Sequence, residues 1–283
     1  MASSNDNQPP RFFDRALLAR RQARAQSLGA ETFLLDRVAG DMADRISAVL
    51  RRFSQAADLG SPTDAVALAL APLVENIQRV VLPQNDADAL PLTPSSLDLA
   101  VSALALQFVN DLPGTLAQIR RALKPDGLFM AALAGGDTLS ELRQSFAAAE
   151  SEIEGGLSPR VAPMIEVRDA GGLLQRAGFA LPVTDVDRIV VRYDNAFALM
   201  RDLRRMGATN ILNERHRLPL RRATLLRMVQ IYSERFADAD GRIRATFDIV
   251  WMSGWAPHES QPKPLKPGSA TASLEAAVKR GRK

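Results

Sequence analysis

The 283-residue chain contains no cysteine and only two histidines, His216 and His258. The first absence excludes disulfides, thiolate nucleophiles and cysteine-held metals. The second leaves a histidine-based metal site without adequate ligands, because the two lie far apart in sequence. No apolar run approaches the ~20 residues that a membrane-spanning helix requires. The opening stretch "MASSNDNQPP" has no hydrophobic core and is not an arginine-rich amphipathic helix, so neither a secretory signal nor a transit peptide is expected. A chain without cysteine suits a reducing cytoplasm, and that is the expected location.

Apolar residues make up 46% of the chain, enough for a substantial core, and the formal net charge is +4. The charge sits at the ends. Residues 262–283 carry Lys263, Lys266, Lys279, Arg280, Arg282 and Lys283 against Glu275, and the first 24 residues carry five arginines against Asp6 and Asp14. The middle is therefore net acidic. Nucleic-acid binding would need basic residues gathered on a folded face, so no nucleic-acid partner is expected. The basic ends read as solvated, or as weakly attracted to anionic lipid at the inner membrane or to an acidic partner.

Residues 1–10 read as disordered and "RFFDRALLARRQARAQSL" as a basic helix. "ETFLLDRVAGDMADRISAVLRR" places Leu34, Val38, Met42, Ile46 and Val49/Leu50 at helical spacing. "QAADLG" reads as a strand and turn, and "SLDLAVSALAL" as a buried strand. A helix capped by Asn110 or Asp111 follows, with Pro113 near its start and Leu116, Ile119 and Leu123 on its inner face. "KPDG" reads as a turn before the strand "LFMAAL". Thr138 and Glu141 form a capping-box pattern, so a helix is expected from there to about 154, ending at Gly155-Gly156. "RDAGGLLQRAGF" gives a short helix with Gly178 past its end. The strand "TDVDRIVVRY" and two helices follow, and "RIRATFDIVWMSGWA" alternates as a half-buried strand. This succession implies an α/β fold, a mostly parallel sheet with helices on both faces. The expected organisation is a helical segment over 1–52, a main domain over 53–256 with a helical insertion at about 195–237, and a flexible basic tail over 257–283.

The segments "LDLAVSALALQFVNDLPGTLAQIRRALKPDGLFMAAL", "GGDTLSELR", "AESEIEGGLSP" and "WMSGWAPHESQPKP…GSATASL" carry a resemblance. The first is similar to the fourth-to-fifth strand region of class I S-adenosylmethionine (SAM)-dependent methyltransferases of the type 11 group. The others resemble bacterial relatives of a mitochondrial complex I assembly factor, a methyltransferase-fold protein assigned as a protein arginine hydroxylase. The resemblance spans about residues 11–274. It implies a Rossmann-like sheet of seven strands with an antiparallel last strand, SAM as cofactor and a protein substrate or partner in respiratory complex I assembly.

The first turn departs from that family. Its SAM turn reads acid-x-Gly-x-Gly-x-Gly, whereas here it reads Asp58-Leu59-Gly60-Ser61-Pro62-Thr63-Asp64. Pro62 replaces the second glycine, removing an N–H and fixing φ. Asp64 replaces the third. The acid that usually ends the second strand and grips the ribose aligns with Pro72, leaving Asp86 as the adenine-side acid. One strand–helix–strand unit takes about 30 residues, so the stretch from Asp58 to Asp86 has to lose or cut at least one crossover helix. "TDAVALALAPLVENIQRVV" fits either one helix or a strand plus a short helix.

By this resemblance the cofactor-contacting candidates are Asp58, Gly60, Asp86, Ala87 and Ala103. The substrate-side candidates are Asp137, which capping explains equally well, and Arg143. Gln107 and Phe108 stand where relatives commonly carry His and Trp, and glutamine cannot take a proton near neutral pH. Trp251 and Trp255 read as packing residues. Three functions remain open: a SAM-dependent enzyme of the assembly type acting on or binding a protein subunit; a non-catalytic interaction module that kept the fold; and a small-molecule carboxyl methyltransferase like that of biotin synthesis.

Overall fold

The computed structural model describes residues 11–85 and 88–262. The disordered reading of 1–10, most of the basic tail, and the candidates Asp86 and Ala87 fall outside those residues.

Two helices open the chain, α1 (Arg15–Ser27) and α2 (Phe33–Ser47). The Asp14 carboxylate caps α1 by accepting from the Leu17 N–H at 2.8 Å. There follow β1 (Phe53–Leu59), α3 (Ala65–Leu70), β2 (Val74–Val80), β3 (Leu97–Ala103), α4 (Leu112–Ala122) and β4 (Leu123–Gly135). The second half comprises α5 (Ser140–Glu154), α6 (Val167–Arg176), β5 (Ala180–Tyr193), α7 (Ala196–Arg205), α8 (Arg222–Phe236) and β6 (Ile243–Trp255). The ambiguous segment after β1 is thus a short helix and then a strand.

The sheet order is β2-β1-β3-β4-β6-β5. β1 to β4 are parallel, and β6 is antiparallel to both β4 and β5. Among the described residues the sheet has six strands, not the seven that the resemblance implies. The shortfall is at the front. The helix of the β1–β2 crossover is only the six residues of α3, and β2 runs to β3 through 81–96 with no helix among the described residues. That is less chain than two full crossovers need.

Alternation along the strands divides the core. Leu99, Val101, Met130, Ile249 and Trp251 face α2, α3, α5, α7 and α8. Ala100, Phe129, Ala131, Val250 and Met252 face α4 and α6. β6 was expected to be half-buried; almost all of it is buried, because a strand flanked on both edges and covered on both faces has no solvated side. Trp251 packs in this core with the Arg45 guanidinium 4.4 Å from its ring centroid. Leu50 does not extend the apolar face of α2. The helix stops at Ser47, and Leu50 has a positive φ of 54° and is 95% exposed. "KPDG" is not a separate turn but a bulged start of β4, with Asp126 at φ 62°.

Asp111 caps α4, accepting from the Gly114 N–H at 2.8 Å. Asn110 instead ties the N-terminal segment to the sheet: its carbonyl accepts from the Phe13 N–H at 2.7 Å and its amide donates to the Phe13 carbonyl at 3.1 Å. The Asp14 N–H donates to the Ile211 carbonyl and the Asn213 N–H to the Phe12 carbonyl. These bonds lay the start of the chain against the loop that follows α7, over the carboxyl ends of the parallel strands.

Candidate functional site at the carboxyl ends of the strands

In open α/β sheets ligands bind outside the carboxyl ends of the strands, and the turn after β1 is the first part of that rim. Asp58 is fully buried. One of its oxygens accepts a short hydrogen bond from the Ser61 hydroxyl, whose oxygen also accepts from the Ala103 N–H at 3.1 Å. The other oxygen has no hydrogen-bond partner among the described residues; Arg79 Nε lies 3.9 Å away. Burial pushes the Asp58 carboxyl above its ordinary value, with Ser61 and Arg79 offsetting only part of that.

Gly60 has a φ of 76°, which favours glycine. The space above it is filled. A Cβ on Gly60 would stand 2.6 Å from Leu82 Cδ1 and 3.2 Å from the Ala105 methyl. β2 ends at Val80, and Pro72 precedes the strand rather than ending it. The side of the turn next to Gly60 is therefore occupied by Leu82, and among the described residues β2 ends on Val80 rather than on a carboxylate. A cofactor laid against Gly60 would have to displace Leu82. As folded, the Leu82 side chain leaves no room for an adenosyl group on the Cβ side of Gly60.

The second rim element is "GGDT". Gly136 has a φ of 50°, and a Cβ there would lie 2.7 Å from an Asp248 carboxylate oxygen. That oxygen accepts from the Asp137 N–H at 2.9 Å. The Thr138 hydroxyl donates to the Gly135 carbonyl at 2.7 Å and accepts from the Asp248 N–H at 3.0 Å. Glu141 accepts from the Thr246 hydroxyl at 2.5 Å and its N–H at 3.2 Å. The expected capping box does not form. α5 begins at Ser140 after Leu139 in the left-handed region, and the side chains of Thr138 and Glu141 are bonded to β6. The motif is a knot between the end of β4 and β6.

Between these turns and the N-terminal helices lies a cavity of about 370 Å³. Its walls are apolar: Leu34 and Leu35 of α2, Leu142 and Phe146 of α5, Met200 and Leu203 of α7, with Phe247 from β6. Pro62, Thr63, Leu104, Gln107 and Phe108 form the side nearest β1 and β3. The charged groups on its lining are Arg21, Arg160, Arg205, Arg215 and Glu31, with His216 beside them. A second cavity of about 230 Å³ shares Gln107 and Met164 with the first.

Residues 46–131 match the family described as "Methyltransferase domain". The chain is 37% identical to the mitochondrial arginine-hydroxylase NDUFAF5 of Danio rerio, over 99% of this chain and 94% of that protein. The human counterpart is 40% identical over 93% of this chain and 82% of its own length. The chain belongs to the NDUFAF5 family. A malonyl-[acyl-carrier protein] O-methyltransferase of Laribacter hongkongensis is 43% identical over a shorter stretch, 61% of this chain and 55% of that enzyme. Among solved structures, the YcgJ protein of Bacillus subtilis superposes with a TM-score of 0.52 at 13% identity, covering 78% of this chain and 99% of that one. A likeness at that identity speaks to the fold alone, which is that of the class I methyltransferases.

Within this NDUFAF5-family fold the sequence candidates separate. Asp58, Gly60 and Ala103 come together at the β1–β3 rim, linked through Ser61; Asp58 and Ala103 are buried and Gly60 is half-buried. Asp137 is exposed and pairs with Arg188 at 2.7 Å. Arg143 is exposed and turns back to the Thr138 carbonyl at 3.4 Å. Neither lines the cavity. Gln107 and Phe108 do. His258 lies outside it, beside Ser260, while Gln261 donates to Asp126 and to the Ala256 carbonyl at 2.9 Å each. The cationic lining was not anticipated. Arg21 and Arg215 are far apart in sequence, and only the docking of α1 on the loop after α7 brings them together.

Proposed function

We propose that this chain is an assembly protein of the NDUFAF5 family that binds a protein subunit of respiratory complex I through the strand-end cavity, without an adenosyl group in the ordinary cradle. One observation carries the reading: Leu82 and Ala105 fill the Cβ side of Gly60, while the apolar cavity next to that turn stays open. The family relationship supports a protein partner, since the relatives are named for acting on an arginine. The basic ends supply a weak attraction to the membrane surface where such a complex is built.

The test has two arms. Calorimetric titration with SAM is expected to give no heat at about 1 mM ligand, the affinity range of only about −4 kcal/mol. Purified hydrophilic subunits of respiratory complex I are expected to include one that binds saturably, and Met200→Trp, which fills the cavity, is expected to weaken that complex. Micromolar SAM binding would return the chain to the cofactor-dependent enzymes. Failure of every subunit to bind would remove the assembly role.

A further inference from the structure

The arginines on the cavity lining are already engaged. Arg160 pairs with Glu150 at 2.6 Å, Arg205 with Glu31 at 3.5 Å and Arg215 with Asp14 at 3.3 Å. The Arg21 guanidinium donates a short bond to the Asn210 carbonyl. Gln107 differs. Its side-chain oxygen is buried and has no hydrogen-bond partner among the described residues, and no other side chain lining these two cavities has a buried polar atom in that state. Gln107 is also one of the two residues that the cavities share, so its amide stands where they meet. The backbone that carries it is fixed. Leu106–Phe108 form a single 3-10 turn after β3. Before the turn the Leu104 N–H donates to the Ala132 carbonyl at 2.8 Å. After it the Phe108 carbonyl accepts from Arg15 Nη1 at 3.2 Å, and Asn110 holds the Phe13 backbone.

We infer that Gln107 sets the specificity of this cavity, its side-chain carbonyl accepting a hydrogen bond from an N–H or O–H on an aliphatic group that the partner inserts. The inference rests on reading the cavity as the place where a partner group enters. It adds what that group must carry. The physical reason is the cost of a bare oxygen. While a cavity is unfilled, water satisfies such a carbonyl. An entirely apolar group that expels the water leaves the oxygen without a donor, and the desolvation cost is not returned. A group with a donor on an apolar stem restores the bond, and its methylenes are buried against Leu142, Phe146 and Met200. The arginines cannot take over this part, because a guanidinium has no acceptor. Gln107 is uncharged, so the selection it makes is for a donor and not for a charge.

The experiment uses the full chain and two probes of the same shape, octanamide and 2-nonanone, followed by ligand-observed NMR titration. One carries an NH2 where the other carries a CH3, so the ratio of their affinities reads the N–H. The unaltered chain is expected to bind octanamide at least as tightly as 2-nonanone, although the amide is the more costly of the two to take out of water. Gln107→Met, similar in length but without the amide, is expected to weaken octanamide about tenfold, the upper range for one neutral hydrogen bond, and to leave 2-nonanone as it was or tighter. Gln107→Glu keeps the acceptor and loses the donors, so it is expected to hold octanamide within about threefold of the unaltered chain. If neither variant folds, the order of the two probes on the unaltered chain decides the matter. Tighter binding of 2-nonanone by the unaltered chain, an unchanged ratio in Gln107→Met, a loss of octanamide in Gln107→Glu as large as in Gln107→Met, or no binding of either probe overturns the inference. Because these are free small molecules, the outcome is read independently of whether any complex I subunit binds.

Discussion

Replacing Thr138 by valine isolates the knot that the "GGDT" motif ties between β4 and β6. The two side chains have nearly the same shape, so the change leaves no cavity; what it removes is a hydroxyl. That hydroxyl is buried, donates to the Gly135 carbonyl at 2.7 Å and accepts from the Asp248 N–H at 3.0 Å. Losing the donated bond costs about 1 kcal/mol, and leaving the Asp248 N–H without an acceptor in the interior costs about 1–3 kcal/mol more. Thr138→Val is therefore expected to lower unfolding free energy by about 2–4 kcal/mol. Thr138→Ser, which keeps the hydroxyl and loses one methyl, should cost about 1 kcal/mol. Urea unfolding followed by circular dichroism reads both, as a shift in midpoint at constant slope. The reasoning is wrong if the valine variant unfolds within about 0.5 kcal/mol of the parent, or if serine is as damaging as valine.

Two further substitutions probe buried and rim charge. Asp58→Asn keeps an acceptor for Ser61 and removes a charge that the fold holds with one hydrogen bond and a distant arginine. Because burial raises the folded carboxyl above its ordinary 3.8, the parent loses stability as pH rises from that value through the raised one. The asparagine variant should lack this loss and be about 1 kcal/mol more stable than the parent at neutral pH; a variant less stable at pH 7 would refute the assignment. Asp248 is the opposite case. The Arg188 hydrogen bonds at 2.7 and 2.8 Å hold it below the usual range despite burial, so its contribution is present above the ordinary value and lost as pH falls through the lowered one. Arg188→Met should reduce the melting temperature at neutral pH and match the parent at about pH 2; a difference that persists unchanged into acid would rule this pairing out.

The parts of the fold that local chemistry dictates were readable in advance. The helix capped by Asp111, the left-handed stops at Gly155 and Gly178, and the shortage of chain between β1 and β3 all follow from a few adjacent residues. The misreadings share one cause. Thr138 and Glu141 satisfy the local pattern of a capping box, but Thr246 and Asp248, more than 100 residues later, offer them β6 backbone and side-chain partners instead. Alternation in β6 says that two faces exist; that both are covered depends on which strands lie beside it. The ribose-acid position was misplaced at Pro72, which lies in the turn after α3, whereas β2 starts at Val74 and ends at Val80; the apolar run across α3 and β2 gives no sign of where the helix stops and the strand starts. The charge of the cavity was the least legible feature, since it arises from α1 crossing a loop nearly 200 residues away.

The closure at Gly60 is not the work of a single intruding side chain. β2 lies directly beside β1 with Arg79 opposite Asp58 and Val80 opposite Leu59. Shortening the front of the sheet thus brings a cation to the register position next to the turn acid and an apolar pair, Val81 and Leu82, to the strand end. Val81 is 83% exposed, while Leu82 turns in over the glycine and packs with Leu59, Val80 and Ala105. Trimming Leu82 alone would uncover Gly60 but restore neither an N–H at Pro62 nor a carboxylate at the end of β2. Leu82 over Gly60, Pro62 in the turn and Val80 at the strand end each depart from a glycine-rich turn followed by an acid, and the three fit together as packing. The cavity beside the turn takes its walls from α1, α2, α5 and α7, so it stays open although Leu82 closes the Cβ side of Gly60.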